Sequence, residues 1–305
     1  MPYLSLLSRQ AKNKPESFSS KKGLFPSVRI IIPYMDSQRK NSPIGVFDSG
    51  VGGLSVLRAI RAHLPNEDII YYADQARVPY GARSLDEIRS FSEEITDFLL
   101  ARGAKIIVVA CNTASAAALS YLRKTFPDTP FVGMEPAVKP AAEQTNSGVV
   151  GVLATPATFQ GRLYASVVER FASDVIVLQN TCAGLVEEIE RGALDGEKTH
   201  QILNSALRNM LGHGLDTLVL GCTHYPFVIP LIEEIAGNHV RVIDPAPAVA
   251  KQVEYRLESI NAKSKVDNEG TVQIYTTGNV EKLASLLTKL GFENFPITGI
   301  KKGQV

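Results

Sequence analysis

Two cysteines of this sequence stand in matching settings. Cys111 follows the apolar run "IIVVA", and Cys222 follows the apolar run "TLVLG". Each thiol is succeeded directly by polar side chains, which are Asn112, Thr113, Thr223 and His224. A thiol in such a place could be an acid/base group, a metal ligand, a redox centre or inert packing. Two thiols in matching settings favour a shared function over packing.

A pair of thiols is suited to moving a proton on and off a carbon atom. One thiol, as thiolate, would take a proton from one face of the carbon while the other delivered a proton to the opposite face, which is racemisation. Charge developing on an adjacent carboxylate would be stabilised by fixed donors such as Asn112, Thr113 and Thr223. Because a thiol at a helix N-terminus sees the positive end of the helix dipole, we expect both thiol pKa values to be lowered from about 8.5 toward neutrality.

The stretch "GVFDSGVGGLSVL", residues 45–57, is a glycine-rich loop between the first strand and the first helix. It has neither the G-x-G-x-x-G order nor the lysine of a phosphate-binding loop, which disfavours a nucleotide site. Its backbone N–H groups and the Ser49 hydroxyl could hold a carboxylate, and Asp48 could orient a thiol or an ammonium group. The alternative for Asp48 and Ser49 is an ordinary turn with a helix cap.

The elements around these motifs alternate between strands and helices from residue 44 onward. The runs "IGVF", "IIYYA" and "KIIVVA" each precede a helical period, at 54–64, 84–102 and 113–126. Six further β-rich runs follow: "FVGM", "VVGVLA", "DVIVLQ", "DTLVLG", "VRVID" and "VQIYTT". This order predicts an α/β protein. Strands that are apolar at nearly every position predict mostly parallel sheets with helices on both faces.

Two Pro/Ala-rich stretches, 134–148 and 242–250, divide this series of elements. They predict two similar doubly wound domains. The first would comprise residues 44–134 and 245–305, and the second residues 135–244. In such sheets ligands bind beyond the carboxyl ends of the strands, where both cysteines stand. We therefore expect the active site in the cleft between the domains.

Composition is typical of a soluble globular protein, since 45% of the 305 residues are hydrophobic and 21% are charged. Without an apolar run of about 18 residues or a secretory signal, the chain is expected to be cytoplasmic, with no membrane contact. Residues 1–43 carry eight Lys/Arg against two Asp/Glu. We expect this basic extension to be disordered, with a transit peptide or a translation start at Met35 as alternatives. The mildly acidic remainder argues against nucleic-acid binding.

The residues alone leave other chemistries open for the thiols. Cys111, Cys222 and His224 could form a metal site, although C-x₂-C spacing and a fourth ligand are missing. A redox pair would need two cysteines within bonding distance, and an amino-acid-binding protein is possible if one thiol is inert. Cys182 has no matching partner and is expected to be a core residue or incidental. No lysine stands in a setting typical of a pyridoxal phosphate enzyme.

Six motifs, in their order and spacing, resemble the glutamate racemase family: "FDSGVGG", "ADQARVPYG", "ACNTAS", "GMEPAVKPA", "GVLATPATF" and "LGCTHYP". The resemblance covers residues 44–250 and beyond. It implies an enzyme without cofactor or metal that interconverts L- and D-glutamate and supplies D-glutamate for bacterial peptidoglycan, frequently as a homodimer. Aspartate racemases and other two-cysteine racemases are the nearest alternative, but the "DSGVGG" loop and His224 in "GCTHYP" favour glutamate.

The resemblance also implies roles for individual residues. Cys111 would act on D-glutamate with Asp48 beside it, and Cys222 would act on L-glutamate with His224 beside it. The residues expected to contact the substrate are Asp48, Ser49, Tyr80, Gly81, Asn112, Thr113, Thr223 and His224, with Thr155 and Thr158 as weaker candidates. The segment "TCAGLVEEIERG" departs from the family's pattern, so no role is assigned to its Glu190. The basic extension has no counterpart in the family.

Overall fold

The computed structural model describes residues 40–292 and 295–300. Within these residues the chain forms ten strands in two separate sheets. The strands are β1 Ile44–Asp48, β2 Ile69–Ala73, β3 Ile106–Val109, β4 Phe131–Gly133, β5 Val149–Ala154, β6 Ile176–Asn180, β7 Thr217–Gly221, β8 Arg241–Ile243, β9 Val272–Thr276 and β10 Ile297–Gly299. Neighbouring strands pair in parallel throughout both sheets. The predicted α/β class with parallel sheets is confirmed.

Helices connect the strands, as parallel pairing requires. They are α1 Leu54–His63, α2 Leu85–Leu100, α3 Asn112–Thr125, α4 Val138–Gln144, α5 Pro156–Gln160, α6 Arg162–Phe171, α7 Leu185–Glu190, α8 Glu197–Gly212, α9 Ile229–Ala236, α10 Ala246–Ser259 and α11 Val280–Lys289. Two single turns of 3₁₀ helix are also present: Tyr80–Ala82 lies in the loop after β2, and Tyr225–Val228 leads directly into α9. The three helical periods predicted before residue 126 all form helices, with ends shifted by at most two residues.

The first sheet has the strand order β10-β9-β2-β1-β3-β4, and the second has the order β6-β5-β7-β8. Strands β3 and β7, which carry the two cysteine motifs, are buried at every position. Their continuous apolar sequences are explained by this burial, because helices cover both faces of each sheet.

Alternate residues of each strand belong to different hydrophobic clusters, one on each face. In the first sheet, α1, α10 and α11 pack on one face around Leu57 and Val253, while α2 and α3 pack on the other around Ile95 and Ala118. The second sheet is covered by α7, α8 and α9 on one face and by α4 and α6 on the other. Each sheet is thus the centre of a three-layer sandwich.

The local sequence defines where α2 begins. The Ser84 side chain accepts a hydrogen bond from the Glu87 N–H, and the Glu87 carboxylate accepts one from the Ser84 N–H. This reciprocal cap satisfies the backbone N–H groups of Ser84 and Glu87 at the helix start. The cap at Ser84 ends the loop that carries Tyr80 and Gly81.

The two sheets draw on different parts of the chain. The first contains strands from residues 44–133 and 272–299, and the second contains strands from residues 149–243. This partition supports the predicted boundaries at 134 and 245, which stay a prediction. Most of the predicted basic extension, with Met35, lies outside the described residues. In the described part of the chain no helix has the length and apolarity needed to cross a membrane.

Candidate active site

A small cavity lies where the carboxyl ends of β1, β3, β5 and β7 meet. Its walls are formed by Ser49, Pro79, Tyr80, Gly81, Cys111, Asn112, Thr113, Thr155, Val186, Cys222, Thr223 and His224. The two cysteines therefore come from different sheets to one space, as expected from their positions at strand ends. All the residues predicted to contact substrate belong to this lining, except Asp48 and the weaker candidate Thr158. That any of them touches substrate stays a prediction.

Cys111 is the residue that caps α3. Its Sγ accepts a hydrogen bond from the Ala114 N–H at 3.4 Å and lies 3.9 Å from the Ser49 Oγ. The sequence predicted a lowered thiol pKa at such a helix start, and for Cys111 this is wrong. Burial and the nearby Asp48 carboxylate raise the thiol pKa well above its usual value, although the Ala114 N–H favours the thiolate. Only 4% of the residue is exposed.

Cys222 follows β7 and lies beside an imidazole. The Sγ is 3.9 Å from His224 Nδ1. The sequence pattern suggested that this thiol, like Cys111, enters a helix directly, but the residues after it form turns and then the 3₁₀ helix Tyr225–Val228. The 3₁₀ turn continues directly into α9, and the polar contact of the Cys222 thiol is with the His224 imidazole.

His224 forms a buried pair with Glu190. His224 Nε2 lies 2.7 Å from Glu190 Oε1, and the imidazole is 2% exposed. Burial lowers the pKa of the imidazole, but the contacts with Cys222 and Glu190 outweigh it and raise the pKa well above its usual value. Burial alone would raise the pKa of Glu190. Its hydrogen bonds outweigh burial, the one to His224 most of all, and the pKa is lowered. Both shifts favour an imidazolium paired with a carboxylate.

The glycine-rich loop uses its N–H groups within the protein. Gly50 and Gly53 donate to Asp48 Oδ2 at 3.2 and 3.0 Å, and Val51 donates to Glu190 Oε1 at 2.7 Å. The expectation that these N–H groups are exposed to hold a carboxylate is therefore corrected. The carboxylates they hold are side chains of this chain, one local and one from α7.

Two glycines in that loop allow this close approach. A Cβ on Gly50 would lie 1.9 Å from Glu190 Oε1. A Cβ on Gly52 would lie 2.3 Å from His224 Nδ1 and 2.6 Å from Thr223 Oγ1. The loop of the first sheet thus packs backbone directly against the His224–Glu190 pair of the second, which explains the glycines without a nucleotide.

Asp48 and Asn112 each keep buried polar atoms without a protein partner among the described residues. These atoms are Asp48 Oδ1 and both the Oδ1 and Nδ2 of Asn112. Asp48 is fully buried, and burial raises the pKa of its carboxyl. Because buried polar groups normally find a partner, the free amide of Asn112 in the cavity wall is a group available to a ligand.

Tyr80 and Thr113 enter the cavity wall with their hydroxyls already engaged. The Tyr80 hydroxyl donates to Asp74 Oδ2 at 2.5 Å. Thr113 Oγ1 lies 2.8 Å from Thr155 Oγ1, which in turn lies 3.0 Å from Thr158 Oγ1. Thr158 supports Thr155 behind the cavity lining, and the three threonines join the two sheets across the cleft.

Three residues of the site were missed from the sequence. Pro79 and Val186 line the cavity, and Glu190 orients His224. Pro79 stands inside the "VPYG" motif, which was a signal for the whole loop, whereas Val186 and Glu190 lie on a short helix with no pattern that marks a site.

Cys182 belongs to the hydrophobic cluster of the second sheet, and burial raises its pKa to about 12. Among residues 40–292 and 295–300, no three His, Cys, Asp or Glu side chains are grouped to hold a metal ion.

Known proteins share both the sequence and the fold of this chain. The Asp/Glu/hydantoin racemase family matches residues 44–253. The glutamate racemase of Roseiflexus sp. (strain RS-1) is 51% identical over 255 residues, which are 83% of this chain and 94% of that protein.

Two solved structures extend the comparison to three dimensions. Glutamate racemase isoform RacE1 from Bacillus anthracis has a TM-score of 0.76 at 33% identity, with 86% of this chain and 98% of that chain covered. The glutamate racemase from Francisella tularensis in complex with D-glutamate has a TM-score of 0.75 at 31% identity, with the same coverage of 86% and 98%. The resemblance inferred from the motifs is confirmed, and the chain belongs to the Asp/Glu/hydantoin racemase family, where it groups with the glutamate racemases, which are isomerases.

Proposed function

We propose that this protein interconverts L- and D-glutamate, with two cysteines as the acid/base pair and no organic cofactor. The observation that carries the proposal is that Cys111 and Cys222 line one cavity from two different sheets, each beside its own ionisable partner. Relatives that match most of the chain are glutamate racemases, and the Francisella tularensis structure contains D-glutamate. These similarities support glutamate over the shorter aspartate.

The chemistry needs two proton transfers on opposite faces of one carbon. From L-glutamate, the Cys222 thiolate removes the α-proton, and the electron pair of the broken C–H bond is delocalised into the α-carboxylate. The Cys111 thiol then donates its proton to the other face, which forms the C–H bond of D-glutamate. One proton is gained at Cys222 and one is lost at Cys111, so the reaction balances. The reverse direction exchanges these roles.

The surroundings of the thiols suit these starting states. Burial and Asp48 keep Cys111 protonated and able to donate. Beside Cys222, the protonated His224 stabilises the thiolate that L-glutamate requires. For D-glutamate the proton must first leave Cys111, and Asp48 is the neighbouring carboxyl that can take part in that transfer because burial raises its own pKa.

Substrate recognition would rely on groups that the fold leaves available. Asn112 offers an amide donor for a carboxylate and a carbonyl acceptor for the ammonium group, and neither has a partner among the described residues. The Ser49 and Thr223 hydroxyls line the same cavity. Since the Tyr80 hydroxyl is held by Asp74, we expect Tyr80 and Gly81 to contact substrate through the backbone or the ring face.

The test is solvent exchange at the α-carbon. Purified protein without added cofactor is incubated in D₂O with L-glutamate, D-glutamate, L-aspartate or D-aspartate. We expect deuterium at the α-position and formation of the opposite enantiomer from both forms of glutamate. Racemisation of aspartate but not glutamate would contradict the assigned substrate, and absence of exchange from either glutamate enantiomer would contradict the two-base reaction.

The cellular role follows from the product. We expect a cytoplasmic enzyme that supplies D-glutamate for peptidoglycan and works as a homodimer. Expression of residues 44–305, and of the full chain, in a bacterial strain that requires D-glutamate should restore growth. Sedimentation equilibrium should give twice the chain mass of 33.1 kDa. Failure to restore growth would reject the proposed supply of D-glutamate. A mass of one chain would reject the homodimer.

A further inference from the structure

We propose that Gln75 is a positioning residue that holds the Glu190–His224 pair in the orientation needed for proton transfer at Cys222. The proposal rests on the proposed function, because it concerns one half of the two-base reaction. Gln75 lies in the turn after β2 and is half-buried. It is outside the cavity lining, so it does not act on the substrate directly.

The amide of Gln75 is held at both ends. Its Nε2 donates to Glu190 Oε2 at 3.1 Å, and its Oε1 accepts from Thr276 Oγ1 at 3.0 Å. Thr276 is the last residue of β9 and is fully buried. Its hydroxyl also accepts from the Gly278 N–H at 2.9 Å, which fixes the direction in which the hydroxyl donates. The first sheet thereby supplies an oriented amide donor to a carboxylate of the second.

Gln75 engages the oxygen of Glu190 that the other partners leave. Glu190 Oε1 accepts from the Val51 N–H at 2.7 Å and contacts His224 Nε2 at 2.7 Å. Oε2 receives the Gln75 amide. A carboxylate held through one oxygen can rotate about its terminal bond, whereas donors on both oxygens fix its plane. Fixing this plane also fixes the imidazole that it supports beside Cys222.

The electrostatics agree with this geometry. Burial raises the pKa of Glu190, but hydrogen bonds from His224, Val51 and Gln75 together lower it below its usual value. An ionised Glu190 in turn keeps His224 protonated. Loss of the Gln75 donor would therefore weaken both the orientation and the charge of the imidazole.

If Gln75 only held the two sheets together, its loss would not slow one proton transfer more than the other. The test must therefore report which of the two proton transfers is slowed. Because L- and D-glutamate have equal free energies, any variant lowers kcat/KM by the same factor in both directions. Primary isotope effects with L-[2-²H]glutamate and D-[2-²H]glutamate do distinguish the two transfers, since each isotope is removed by a different thiol.

The test variant is Gln75→Met, which keeps the length of the side chain and removes both polar atoms. We expect kcat/KM to fall roughly tenfold, the isotope effect from L-glutamate to rise, and that from D-glutamate to fall. From L-glutamate, the slowed Cys222 step is the C–D cleavage itself, so this cleavage limits the rate more strongly. From D-glutamate, the slowed step follows the C–D cleavage, which then becomes reversible and limits the rate less. The matched control is Gln273→Met on β9, whose amide donates to the Ile274 and Pro296 carbonyls and to the Thr298 hydroxyl.

A second pair of variants keeps the proposal testable if Gln75→Met folds poorly. Thr276→Val removes the hydroxyl that orients Gln75 and should bias the isotope effects in the same sense, while Thr276→Ser should restore them. Unchanged isotope effects in both Gln75→Met and Thr276→Val, or a rise confined to D-glutamate, would overturn the proposal. Lack of glutamate racemisation by the unsubstituted protein would instead reject the proposed function, so the two failures are distinguishable.

Discussion

Glu190 Oε1 lies 2.7 Å from His224 Nε2, so a carboxylate on the short helix α7 supports the imidazole beside Cys222 from the side opposite the thiol. The pair is almost completely removed from water, since the side chains are 12% and 2% exposed. In such surroundings a carboxylate strongly favours the protonated imidazole. In the proposed reaction, the imidazolium that Glu190 stabilises lies beside the Cys222 thiol that removes the proton of L-glutamate.

Replacement of Glu190 by Gln should remove the charge while keeping the shape. We expect kcat/KM to fall roughly 10- to 100-fold, and the alkaline limb of its pH profile to move to lower pH. The sign follows from the raised pKa of His224, which drops when its carboxylate partner becomes neutral. The measurement is kcat/KM between pH 6 and pH 10. Glu188→Gln, on the same helix but paired with Arg191 and Lys198, should leave the profile unchanged; an equal shift in both variants would contradict the assignment.

Each of the two cavity cysteines should be indispensable. We expect Cys111→Ser and Cys222→Ser to lower racemisation at least about 10³-fold, because a serine hydroxyl is a far weaker acid than a thiol and does not ionise to a base near neutral pH. Residual deuterium exchange should differ between L- and D-glutamate in the two variants. Cys182→Ala serves as the control for loss of a buried thiol and should stay active. Full activity of either cavity variant would reject two-base catalysis.

The positions of the two thiols could be predicted because they follow from local pattern. Strands that are apolar at every position indicate parallel sheets, and residues directly after such strands lie at the ligand-binding edge. Cys111 and Cys222 satisfy this rule and do meet in one cavity. Helical periodicity also predicted the three helices before residue 126.

Other features of the site depend on contacts that local pattern does not contain. Glu190 pairs with Val51 across 139 positions of sequence, and its own helix carries two further acidic residues that make it look like a solvated surface. The raised pKa of Cys111 was missed because helix position alone favours the thiolate, whereas burial and Asp48 become visible only in three dimensions. Likewise, the sequence indicated that the glycine loop holds a carboxylate but not that the carboxylate is the protein's own.

Asp216 should stabilise the second sheet in a pH-dependent manner. Its carboxylate accepts hydrogen bonds from the Thr145 hydroxyl and from the Asn146 and Ser147 N–H groups at 2.6–2.7 Å. Burial raises its pKa, but these donors outweigh burial and lower the pKa to about 2. Because the folded pKa is below the usual value of 3.8, the stabilisation is complete above about pH 4 and is lost as the pH falls toward 2.

The test of Asp216 is urea unfolding of Asp216→Asn at several pH values. We expect the free energy of unfolding to fall by about 1 kcal/mol at pH 7, a modest value because the carboxylate is partly exposed. The difference from the unsubstituted protein should shrink between pH 4 and pH 3. Asp174→Asn, at an exposed position of the same domain, should change little. A difference that stays constant with pH would show that the charge of Asp216 is not the cause.

A substitution at Gly52 tests the contact between the glycine-rich loop and the cavity wall that contains Thr223 and His224. A Cβ there would lie 2.3 Å from His224 Nδ1 and 2.6 Å from Thr223 Oγ1, so Gly52→Ala must displace the imidazole or move the loop. We expect kcat/KM to fall about 10²-fold, because a displacement of about 1 Å at a catalytic group has effects of that size. Gly212→Ala is the matched control: its Cβ would meet no atom within 4 Å, and it lies at the end of α8. We expect that variant to keep full activity. Equal activity in both variants, measured by circular dichroism of glutamate, would show that His224 does not need the space that Gly52 leaves.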